Sequence, residues 1–61
     1  MTLEEALPAL KEGKTIMDDR WSYFIKDEVL YSYYCDQEPS DASPSCFEAY
    51  HLLSTSYEVL R

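Results

Sequence analysis

Glycine is almost absent from this chain: Gly13 stands alone among 61 residues. A single glycine cannot build the glycine-rich loop that wraps phosphates in P-loop and dinucleotide-binding proteins, so those modes are excluded. Basic side chains are also scarce, five Lys and Arg against twelve Asp and Glu, for a net charge of −7. A field of that sign repels nucleic acid and anionic membrane, so no direct contact with either is expected. It favours a basic partner instead, although acidity also serves plain solubility. Histidine occurs once, as His51, and cysteine twice, as Cys35 and Cys46. No apolar run approaches the roughly 20 residues that span a bilayer. The start, Met1-Thr2-Leu3-Glu4-Glu5, lacks the basic and apolar regions of a secretory signal. A cytoplasmic setting with free thiols is therefore expected, although the spacing of Cys35 and Cys46 does not forbid a bridge.

What the chain has in quantity is aromatic: six Tyr, two Phe and one Trp. Such rings bury their bodies while keeping a polar tip wet, which suits a small core, an interface or a ligand pocket. The length allows one domain, residues 1–61, that buries only about 60% of its unfolded surface. Domains this small often gain stability by self-association, a metal or disulfides.

The sequence divides cleanly into elements. Thr2-Leu3-Glu4-Glu5 reads as a capping box, and Leu3, Ala6, Leu7 and Leu10 form one apolar stripe, predicting a helix over 3–12. Gly13 supplies its stop; Pro8 sits inside and is expected to disturb the first turn. Residues 14–17 read as a short strand and 21–26 as an aromatic one. After a turn at Lys26-Asp27-Glu28, residues 29–35 form the strongest strand signal. Alternation places Val29, Tyr31, Tyr33 and Cys35 on one face, and Leu30, Ser32 and Tyr34 on the other. Both faces are apolar or aromatic, so one packs on the helix and the other needs a separate cover. Residues 36–45 are a polar loop. Ser45-Cys46-Phe47-Glu48 reads as a second capping box opening a short helix through Phe47, Tyr50 and Leu53. Residues 57–60 close the chain as a strand. The expected class is α+β: a small antiparallel sheet of about four strands, an N-terminal helix and a second short helix.

Catalytic candidates fail on spacing. Cys46 and His51 are five residues apart and turn to different helix faces, and His51 is expected to be a partly exposed helix residue. Cys35, Cys46 and His51 lack the close Cys spacing of structural zinc sites. The acidic pairs Glu4-Glu5, Asp18-Asp19 and Asp27-Glu28 lack the alternating ligands of a calcium loop. No catalytic residue, metal or cofactor is expected. Arg20 beside Trp21 is the one place where a guanidinium adjoins an aromatic run. Local sequence favours a buried Trp21 there and a solvated Arg20.

The opening, a capped Glu-Glu-Ala-Leu helix ending in Lys11-Glu12-Gly13-Lys14, then a short strand and Trp21, resembles the small phage domains of the Thoeris anti-defence 2-like family. Tyr23-Phe24-Ile25-Lys26-Asp27 is similar to that family's next aromatic strand, and Leu52 to Leu60 to its closing segment, with Tyr57 at a Trp position. The resemblance implies a non-enzymatic homo-oligomer of an infected bacterial host that sequesters a nucleotide second messenger, notably of the cyclic ADP-ribose type. It further implies that Trp21, Tyr23, Phe24, Tyr31 and Tyr33 stack the base while Arg20 meets phosphate. The charge supports an alternative: an acidic inhibitor that docks on a basic surface of a host defence enzyme, as a nucleic-acid mimic.

Overall fold

The first turn of the chain is closed by its own side chains. The Thr2 backbone N–H donates to the Glu5 carboxylate at 2.9 Å, and the Glu5 N–H donates to the Thr2 hydroxyl at 3.3 Å. The backbone bond from Thr2, and after it a bond donated by the Thr2 hydroxyl at 3.1 Å, hold the Glu5 carboxyl below its usual range. This capping box starts α1 (Leu3–Lys11), which runs through Pro8 without interruption. Pro8 is exposed, so its ring meets solvent and its missing N–H forfeits one bond. The helix ends in a Schellman motif. Gly13, at φ +90°, donates to Leu10 O, and Lys14 donates to Ala9 O. Nothing crowds the place of a Cβ at Gly13, so backbone conformation alone requires the glycine.

The structure, a computed structural model, describes residues 1–60. After α1 come β1 (Thr15–Met17), β2 (Trp21–Lys26), β3 (Val29–Tyr34), a 3₁₀ turn (Pro39–Asp41), β4 (Ser43–Pro44), α2 (Ala49–Leu53) and β5 (Glu58–Leu60). The strands form one antiparallel sheet in the order β4-β3-β2-β1-β5. The fold is α+β, with five strands where the sequence predicts about four. The addition is β4, two residues of the polar loop that pair with Tyr31 and Ser32. Its Ser-Pro sequence carries no strand propensity, and Pro44 is tolerated because β4 is an edge.

Residues opposite one another in antiparallel register share a face. Val59, Ile16, Tyr23 and Ser32 thus form a row across the sheet, and α1 packs on that side. Its stripe of Leu3, Ala6 and Leu10 meets Ile16, Tyr23 and Tyr57 in the buried core, and Leu30, Phe47 and Val59 close the margin. A Leu10→Ala change costs about 2–5 kcal/mol at such a site, a large share of a small domain's stability. The Met1 ammonium group donates to Thr55 O at 3.1 Å and Tyr57 O at 2.9 Å, tying the start of α1 to the entry of β5.

The opposite face carries no helix. Phe24, Tyr31 and Tyr33 lie there half-buried with Met17, Thr15 and Leu60. No helix among the described residues is long and apolar enough to cross a membrane.

Candidate functional site

Strand alternation divides the six residues singled out in the sequence. Trp21 and Tyr23 lie on the helix side of the sheet, whereas Phe24, Tyr31 and Tyr33 lie on the open side. Arg20 is exposed in the bend before β2. Each face has its own cleft, and Arg20 lines neither.

The helix-side cleft, about 480 Å³, lies between the sheet and α2. Trp21, Tyr23, Tyr50 and His51 supply its rings, Glu48 its carboxylate, and Ser32 and Ser45 its hydroxyls. Trp21 is 42% exposed and stands edge-on to Tyr34, with ring centroids 4.9 Å apart. The expectation of a buried Trp21 is corrected: α1 covers β1, β5 and part of β2, and does not reach the start of β2 beside β3.

His51 is buried, 5% exposed, rather than partly exposed as its helical position suggests. Its ring does structural work in two directions. The Glu48 N–H donates to Nδ1 at 2.7 Å, which caps the first turn of α2 from within. The predicted capping box at Ser45 is replaced by this one, because the chain stays extended to Glu48 and α2 begins at Ala49. An accepting Nδ1 places the proton of a neutral ring on Nε2, which then donates to the Tyr23 hydroxyl at 3.0 Å. That leaves the Tyr23 O–H as a donor toward the cleft. Burial pushes the Tyr23 phenol well above its ordinary value, and Tyr57, Tyr50 and Asp18 add to the effect. Tyr23 is therefore a neutral hydrogen-bonding group, unsuited to act as a base near neutral pH.

Cys46 lines the same cleft, but both nitrogens of His51 are already engaged. Cys35 and Cys46 are both free and exposed. Among the described residues no group of three or more His, Cys, Asp or Glu converges as metal ligands would.

The open-face cleft, about 300 Å³, is walled by Phe24, Tyr31 and Lys26 of the sheet and by Pro39, Ser40 and Ala42 of the loop, with Asp27 at its end. Phe24 and Tyr31 stack with centroids 5.5 Å apart and planes 18° apart, and Tyr33 adjoins Phe24 at 6.1 Å. Lys26 follows Phe24 by two residues and so projects from the same face. Its ammonium forms no ion pair among the described residues, where Lys14–Glu12 is the only one. Lys26 was missed in the sequence, although its parity with Phe24 is a readable signal. Tyr50 and His51 carried no such signal toward Trp21, since only the tertiary fold brings α2 over β2. No known protein family, curated protein or solved structure matches this chain.

Proposed function

We propose that this protein is a non-enzymatic binding domain that captures a nucleotide-type second messenger, such as a cyclic ADP-ribose, in the cytoplasm of an infected bacterial host. One observation carries the reading: the stacked Phe24–Tyr31 pair lies at the mouth of one cleft beside Lys26, which forms no ion pair among the described residues. A base stacks on aromatic faces whatever its sequence identity, and an ammonium holds phosphate as a point charge. Ser40 adds a hydrogen-bonding hydroxyl at the same rim. Tyr33 and Met17 extend the half-buried surface beyond the cleft, and a second copy covering it would seal the ligand from water. The roles of Phe24, Tyr31 and Tyr33 stand as the resemblance implies; Lys26 takes the phosphate role given there to Arg20. Trp21 and Tyr23 belong to the other cleft.

Calorimetric titration against a panel of mononucleotides, cyclic dinucleotides and cyclic ADP-ribose isomers tests this, with the ligand recovered afterwards by chromatography. Saturable binding with intact recovery supports it. No binding across the panel, or conversion of the ligand, ends it.

A second reading rests on the surface charge. Every Asp and Glu side chain except that of half-buried Asp18 belongs to an exposed residue. Such a surface suits an acidic inhibitor of a basic host defence enzyme, and predicts affinity that falls steeply with salt. Inhibition insensitive to salt contradicts that alternative.

A further inference from the structure

The two clefts differ in charge as well as in place. The open-face cleft holds Lys26 and Asp27, one charge of each sign, whereas the helix-side cleft is lined by Glu48 and by no Lys or Arg. Its remaining walls include the rings of Trp21, Tyr23, Tyr50 and His51, whose Nδ1 accepts from the Glu48 N–H. The ring face of an aromatic carries negative charge density, and Trp presents the strongest cation-binding face among the side chains. Trp21 and Tyr50 are both well exposed, at 42% and 67%, so their rings are accessible without any rearrangement. Asp18, whose charge is felt by both Tyr23 and Tyr57, adds to the negative potential near this end of the sheet. Arg20 precedes Trp21 in the chain but does not line the cleft.

We propose that the helix-side cleft is a second binding site, for a small organic cation with a quaternary ammonium head. The cation sits against Trp21 and Tyr50 with Glu48 as its counter-charge. The methyl groups of such a head meet the rings, and its charge needs no hydrogen-bond acceptor, which suits a cleft whose His51 nitrogens are already engaged. The Tyr23 O–H and the Ser32 and Ser45 hydroxyls remain to orient a polar tail. The inference is independent of nucleotide capture, which uses the other face.

Trp21 is the single tryptophan of the chain, so its fluorescence reports on this cleft alone. The experiment titrates the protein with choline and, in parallel, with its uncharged isostere 3,3-dimethylbutan-1-ol. The site predicts a saturable change with choline, and binding at least about ten-fold weaker for the neutral isostere. Tyr50→Ala and Glu48→Gln, both at exposed positions, each weaken choline about three-fold or more while circular dichroism stays unchanged. Phe24→Leu, on the opposite face, leaves choline binding as it was. Equal affinity for choline and its isostere, no saturable change with choline, or full binding by Tyr50→Ala overturns the proposal.

Discussion

Tyr23 and His51, 28 residues apart in the chain, meet with the phenol oxygen 3.0 Å from Nε2 in the buried interior. This bond joins the central strand to α2, and the same imidazole caps the turn from which it projects. The helix is only five residues long, too short to persist by propensity alone. Its position therefore depends on one ring serving two partners.

A double-mutant cycle measures that dependence. Tyr23→Phe is expected to cost about 1–3 kcal/mol, because it strands the buried Nε2–H. His51→Phe costs a similar amount by stranding the Tyr23 hydroxyl and the Glu48 N–H. The double variant is expected to fall short of the sum by at least about 0.5 kcal/mol in urea denaturation. Strict additivity would show that the two side chains do not act as a unit.

Tyr57 gives a prediction in alkali. It is fully buried, and its hydroxyl has no hydrogen-bond partner among the described residues. Burial, then Asp18 and Tyr50, push its phenol from 10 up to about 12. The folded state therefore keeps the proton that the unfolded chain releases. Stability is intact below pH 10 and falls as pH rises toward 12, by an amount on the order of 2 kcal/mol. Tyr23 shifts in the same direction and adds to the fall. Tyr57→Phe is expected to be neutral or up to about 1 kcal/mol stabilising at pH 7, since no bond is lost. Its stability declines less steeply above pH 10. Thermal melts of both proteins from pH 7 to 12 check this, and identical slopes would refute it.

The β2–β3 hairpin holds backbone strain. Asp27 and Glu28, at φ 53° and 66°, form a two-residue turn with both residues left-handed and no glycine. Such turns favour Asn-Gly or Asp-Gly. Glu28→Gly is expected to stabilise the protein by about 1 kcal/mol, and to raise Tm by about 4–8 °C for a domain of this size. A lowered or unchanged Tm would contradict the argument.

Nucleotide binding is expected to divide between ring and charge. Phe24→Leu keeps an apolar side chain but removes the stacking face, and weakens binding about ten-fold. Lys26→Gln weakens it less and flattens its dependence on salt, because a charged contact is lost. Calorimetry at two ionic strengths separates these effects. A Lys26→Gln variant with unaltered salt dependence would remove phosphate from that position.

Much of the fold was legible because the local signals agree with the tertiary structure. Thr2, Glu5 and Gly13 bound α1 to within one residue, and alternation in β3 sorted its side chains to the faces they occupy. The site was less legible, for a geometric reason. Sequence proximity grouped Trp21, Tyr23 and Phe24, but the two-residue period of a strand puts Phe24 on the other side of the sheet. Tyr31 joins Phe24 through register, and His51 joins Tyr23 through the path of the chain after β4. Neither relationship has a local signature. The β4 pairing was invisible for the same reason: Ser43 and Pro44 are strand residues only because β3 offers an edge.

The proposed nucleotide capture sets the ligand against the open face of the sheet and leaves it chemically intact. The most direct measurement follows the aromatic side-chain NMR resonances of the protein during titration with the nucleotide that binds in the panel. Phe24, Tyr31 and Tyr33 are expected to shift together while Trp21 and Tyr50 hold still, and the nucleotide is expected to be recovered unchanged. Shifts confined to Trp21 and Tyr50, or a ligand returned as a different compound, would contradict it.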